Sequence, residues 1–422
     1  MRTKRGLGAV LAGVGLLAIL VLTLYPNPRQ APVADQTPLL CLVCGESGGA
    51  DVALNLLLFM PLGAGLALLG WSWGRIVAVC ALLSLGVETL QFAAHTGRDA
   101  SLSDLLTNTT SGALGAALAR RLDLLLAPGP LLARRLSLAA AAAWLGILVF
   151  TAVSMRPWAP AGRLRNYCTA SYPTSEIFSG TARTMTLNGV ALFCDRDLPR
   201  GGIRRQIQRG EIALETVAVA GDPSLGRRVI HLVRTPGTTL LVLAQQGRTA
   251  VFHAPTLAEA IGLFAPAVRL PRAFPSRPGG PVELAAGTDG RRLRLSAAHD
   301  GRRSAVELAL SPSYGWTLLF GIPIGPGAPL WTVAALWLGG LILPAAYWAG
   351  LAARPAALVG AFGAVAITGL GLVPALTGFD RVHWSEWLGT GGGVAVGWAL
   401  SQIAAYLQTR CGSPSTSAYS SS

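Results

Sequence analysis

Polar side chains recur at helical spacing within and beside the apolar stretches of this sequence. Asp51 and Asn55 stand four apart, Ser84, Glu88 and Gln91 follow at steps of four and three, and Asp104 and Asn108 are again four apart. Such steps place each set on one face of a helix. In a bilayer, ionisable and amide groups are costly and turn toward a bundle interior or a wet cavity. Asp51, Asn55, Ser84, Glu88, Gln91, Arg98, Asp104 and Asn108 therefore form a candidate polar cavity. Its chemistry is charge and hydrogen-bond recognition of a polar head group. Glu88 would serve as a general acid or base only if the fold paired it, for example with Asp104. No GxSxG, P-loop, HExxH or dinucleotide-binding pattern occurs. No catalytic residue and no cofactor is expected. His231, His253 and His299 lack ligand spacing, so no metal site is expected either.

The elements that must carry these residues are membrane spans. The 422 residues are 13% charged and 52% hydrophobic, with a mean hydropathy of +0.50. Globular chains carry roughly 25% charged residues. Uncharged runs at Gly6–Tyr25, Leu136–Met155, Leu330–Ala353 and Ala356–Thr377 each reach the ~20 residues that cross a bilayer as a helix. Shorter or more polar runs at Val52–Gly70, Ile76–Ala94, Asp104–Ala119 and Trp387–Leu407 bring the expected count to eight. This excludes a soluble enzyme with one large core. The basic start, Met1 to Arg5, precedes an apolar run without a small-residue cleavage site and reads as an uncleaved anchor. Arg120, Arg121, Arg134 and Arg135 bracket a loop that belongs in the cytoplasm by the positive-inside rule. Both termini are then expected in the cytoplasm of a bacterial cell, and the polar stripes in the outer half of the bilayer. The serine-rich tail 411–422 is expected to be disordered.

Residues 156–314 differ in kind. They hold 21 arginines and 11 acids, and their apolar runs are short: Glu211–Val219, Arg228–Arg234 and Thr239–Gln245 are examples. Gly221-Asp222-Pro223, Pro236-Gly237 and Asp289-Gly290 punctuate them. Many short strands with turn signals between them imply an all-β sandwich or jelly roll. The expected organisation is a five-span domain over 1–155, an extracytoplasmic β-sandwich over 156–314, and three further spans over 315–410. Cys168 and Cys194 both fall in the outer domain and are expected to pair. Cys41 and Cys44 form a CxxC before the second span, without a thioredoxin-like pattern around it; a local disulfide or two structural thiols is expected. Ser385-Glu386-Trp387-Leu388 echoes Ser103-Asp104-Leu105-Leu106 in opening a glycine-rich span. Asp380, Arg381, His383 and Glu386 ahead of it form either a second outer polar cluster or a solvated loop, and the loop is the expected reading.

The run Asn55-x3-Phe59-x-Pro61-Leu62-Gly63, then Arg75, Ser84-x3-Glu88-x2-Gln91, Arg98, Asp104-x3-Asn108 and Gly112-x2-Gly115 resembles the VanZ family of integral membrane proteins. The resemblance covers roughly residues 40–120 and implies a cell-envelope setting linked to teicoplanin-type glycopeptide resistance. The β-region resembles a concanavalin/laminin-G-like jelly roll. The expected function is non-enzymatic binding of a lipid-linked or glycopeptide-like head group at the outer leaflet. Membrane lipids and a lipid-linked wall precursor or glycan are the expected partners, and no nucleic acid. The alternative is a transporter or flippase of an envelope lipid. The ligand and the oligomeric state have no signature in the sequence.

Overall fold

A computed structural model describes residues 2–24, 47–94, 102–168, 177–198, 202–224, 226–235, 238–352 and 355–411. The chain opens with helices α1 (Arg2–Leu24), α2 (Gly48–Leu58), α3 (Met60–Leu68), α4 (Trp73–Ala94), α5 (Leu102–Arg120), α6 (Leu122–Leu126) and α7 (Pro130–Ser154). Strands β1 (Arg165–Cys168), β2 (Thr181–Leu187), β3 (Val190–Ala191) and β4 (Arg196–Asp197) lead to α8 (Gly202–Arg209). Next come β5 (Glu211–Val219), β6 (Arg227–Thr235), β7 (Thr238–Gln246), β8 (Thr249–His253), α9 (Leu257–Ala260) and β9 (Ala267–Leu270). The hairpins β10 (Pro281–Asp289), β11 (Arg292–His299) and β12 (Arg302–Ala309) complete the strands. The last helices are α10 (Thr317–Phe320), α11 (Ala328–Gly350), α12 (Pro355–Ala366), a π-helical turn at Ile367–Leu372, α13 (Val373–Thr377) and α14 (Trp384–Cys411).

Six helical stretches among the described residues are long and apolar enough to cross a membrane: Lys4–Leu24, Gly48–Leu68, Trp73–Gln91, Pro130–Ser154, Ala328–Gly350 and Gly360–Thr377. The expected eight are not reached by that measure. Helices α5 and α14 have the length, at 19 and 28 residues, but not the apolarity. Thr107 to Ser111 dilute the first, and Ser385, Glu386 and Gln402 the second. The protein is a multi-span helical chain with an inserted β-sandwich.

Two compact units divide the chain: Met1–Arg120 with Val153–Leu310 and Tyr314–Gly327, and Arg121–Ala152 with Ser311–Ser313 and Ala328–Ser422. In the first, Pro61 removes a helical N–H and its ring crowds the preceding turn. The second span breaks there at Phe59, into α2 and α3. A side chain on Gly63 would overlap the Gly112 carbonyl, and one on Gly115 the Met60 carbonyl, so bare backbone lets α3 and α5 touch. Ile19, Phe59, Leu62, Leu66, Ile76, Cys80, Val87 and Ala116 fill the space between these helices.

The sandwich of the same unit has two six-stranded antiparallel sheets, ordered β4-β1-β6-β7-β8-β9 and β12-β11-β10-β5-β2-β3. Burial alternates residue by residue along β5 and β10, the pattern of a sheet with one wet face. Strand β7 is buried from Thr239 through Gln245, which explains its continuous apolar run. Cys168 and Cys194 form a disulfide with Cα atoms 5.2 Å apart. In the second unit, successive contacts pair Gly389 with Ala335, Gly393 with Gly339 and Gly397 with Leu343. Positions rise together along both helices, so α11 and α14 run parallel.

Candidate functional site

Three helices of the first unit bring the polar stripes together. Asn55 Nδ2 on α2 donates to Asp104 Oδ1 on α5 at 2.6 Å. Asn108 Nδ2, one turn deeper on α5, donates to Ser84 Oγ on α4 at 3.0 Å. The Ser84 hydroxyl lies 3.5 Å from the Asp104 carbonyl oxygen, to which it can donate. Below them the Phe59 N–H, at the proline break, donates to Ser111 Oγ at 3.1 Å. Ser84, Glu88, Asn108 and Ser111 are all buried, while Asn55 and Asp104 are half-buried. Asn108 Oδ1 is buried without a hydrogen-bond partner among the described residues. A buried orphan acceptor costs roughly 1–3 kcal/mol, a cost that a ligand or a bound water could relieve.

The remaining candidates take other places. Glu88 lies one helical turn beyond Ser84 on the same face of α4, 8% exposed. Gln91 leaves this network for α1: its Nε2 donates to the Thr23 carbonyl at 2.9 Å. Asp51 stands exposed in the first turn of α2, accepting the Ser47 hydroxyl at 3.2 Å. Arg98, Cys41, Cys44 and the tail beyond 411 lie outside the described residues. Ser111 extends Asp104 and Asn108 at i+7, the same spacing that singles out Gln91 on α4, so its signal was present in the sequence.

The end of the helices that carries this polar ring also meets the sandwich. Ala50 N–H donates to the Gly262 carbonyl at 2.9 Å, and a side chain on Gly49 would overlap the Ile261 carbonyl. At the α3–α4 turn, Trp71 and Trp73 are exposed, Arg120 donates to the Trp71 carbonyl at 3.1 Å, and its guanidinium lies 5.3 Å from the Trp73 ring centre.

The second unit corrects one expectation. Glu386 is not part of a solvated loop; it is 1% exposed and accepts the hydroxyls of Ser311, at 3.2 Å, and Ser313. His383 stacks on Trp331, ring centres 4.2 Å apart. Sequence reading missed this cluster because Ser311 and Ser313 lie more than 70 residues from Glu386.

Two histidines of the sandwich have polar partners within it. His231 is buried, its Nε2 2.9 Å from Thr216 Oγ1, and burial pushes its imidazole down to about 4. His253 sits 2.7 Å from Glu259, which belongs to the capping box of α9.

Residues 14–126 match the VanZ/LLP1 family. The chain thus carries a VanZ-like domain, running from within α1 to the end of α6. No curated protein and no solved structure matches it.

Proposed function

We propose that the protein binds the head group of a lipid-linked or glycopeptide-like envelope molecule at the outer leaflet of the bacterial cytoplasmic membrane. In this reading it catalyses no reaction, and the binding links it to tolerance of teicoplanin-type antibiotics. The carrying observation is the ring of Asn55, Ser84, Asp104 and Asn108, drawn from three helices and gathered at one end of the bundle. Polar groups placed this way at the edge of a span meet head groups rather than acyl chains. The Cys168–Cys194 disulfide suits an oxidising compartment, which favours an extracytoplasmic sandwich. Arg75 and Arg120 beside Trp71 and Trp73 suit a cytoplasmic interface at the opposite end, with both termini on that side. Bare glycine contacts at Gly63, Gly112 and Gly115 pack the helices tightly below the ring, which favours binding over passage through the bundle.

Glu88 tests the reading. Glu88→Gln keeps shape and hydrogen bonding but removes charge. It should lower lipid co-purification about tenfold or more, the size of a lost charged hydrogen bond, and abolish antibiotic tolerance at normal membrane abundance. Glu88→Leu should lose both activity and abundance. A well-expressed, fully active Glu88→Gln protein would show that the carboxylate merely holds helices together.

A further inference from the structure

The second unit contains an apolar recess of about 310 Å³, walled by Leu370, Gly371, Pro374, Phe379 and Trp387, with Arg381 as its one charged lining residue. Its origin is local. The π-helical turn at Ile367–Leu372 widens the helix, and Pro374 follows at the start of α13; both features displace a helix from regular packing. Gly371 then leaves the space open, since a side chain there would meet nothing within 4 Å.

Arg381 is exposed and makes no hydrogen bond or ion pair among the described residues. It lies between α13 and α14, beside Trp384 and Trp387, which are 63% and 39% exposed. Exposed tryptophans next to an arginine at the end of a span mark the head-group level of a bilayer. The recess therefore has an apolar wall running along a span and a cation at its interfacial rim. Glu386 is turned away to Ser311 and Ser313, and the neighbouring acid, Asp380, is half-buried.

We infer that this recess is a binding site for an anionic phospholipid, with its phosphate on Arg381 and an acyl chain laid against Leu370, Pro374 and Phe379. A guanidinium offers a phosphate two parallel N–H donors, and the chain needs only apolar surface. The site is independent of the polar ring in the first unit.

Native mass spectrometry of the full-length protein, titrated with phosphatidylglycerol or phosphatidylcholine of the same chains, tests it. Wild type should retain phosphatidylglycerol about tenfold better, the worth of one charged contact. Arg381→Ala should bring phosphatidylglycerol down to the phosphatidylcholine level. Gly371→Leu, which adds bulk at the wall of the recess, should weaken both lipids, and Arg303→Ala, an equal charge loss on the sandwich, should change neither. Inorganic phosphate should not compete. Equal retention of the two lipids by wild type would overturn the site. So would an undiminished preference in Arg381→Ala, unchanged binding in Gly371→Leu, or full displacement by inorganic phosphate, which would mark a simple anion contact.

Discussion

Helix α5 opens on Ser103-Asp104 and α14 on Ser385-Glu386, and in each a buried polar residue follows the acid by four positions, Asn108 and Thr390. Both carry an atom with no hydrogen-bond partner among the described residues, Asn108 Oδ1 and Thr390 Oγ1, and both helices continue with glycines against a neighbour. Their surroundings then diverge. Around α5 the partners are side chains of α2 and α4, so polar groups from three helices share one half-open ring. On α14 the acid is 1% exposed and satisfied by two serines from one short segment, and glycines at 389, 393 and 397 lock the helix along α11. On the proposed reading, one local pattern serves recognition in the first case and clamping in the second. What decides is the element opposite, not the pattern.

The largest effect should come from the glycines, where both regions should behave alike. Gly63→Leu and Gly393→Leu each drive a side chain into a backbone carbonyl of the facing helix. Overpacking of this kind costs about 3 kcal/mol or more, to be read as loss of monodisperse protein on size exclusion. Tolerance of Gly393→Leu would break the clamp side of the comparison.

The sandwich provides a reference, a buried polar group outside the ring and outside the clamp. His231 is depressed to about 4 from the ordinary 6.5 by burial. Between pH 6.5 and 4 the unfolded chain therefore takes up a proton that the folded chain refuses. Stability should fall through that window as pH drops, by about 3 kcal/mol in total. Thermal melts across pH should show this slope, and His231→Leu should flatten it. An unchanged slope in the variant would assign the effect to other groups.

The smallest effect separates the acid of α14 from the buried acid of α4 beside the ring. Glu386→Gln keeps one acceptor for the serines and should cost about 1 kcal/mol, with head-group binding intact. Glu88→Gln should do the reverse. If Glu386→Gln lost lipid while remaining stable, α14 would be a second recognition helix and the contrast with α5 would dissolve.

Much of this was open to reading along the chain. Spacing of four and three marked the stripes, because a helix repeats every 3.6 residues and polar groups cannot face lipid. The strands at 211–219, 228–234 and 239–245 declared themselves by short apolar runs between turn residues. Periodicity, however, reports only which face of a helix a residue occupies. It could not say that Gln91 joins Thr23 while Ser84 joins Asn108, although both lie on one stripe of α4. It could not bury Glu386, whose partners arrive from beyond the sandwich, nor open a recess beside Arg381. Amphipathic pattern and span length are properties of one segment and were settled by composition. Which acid becomes a ring member and which a clamp depends on contacts between segments far apart in sequence, and only the tertiary fold chooses those neighbours.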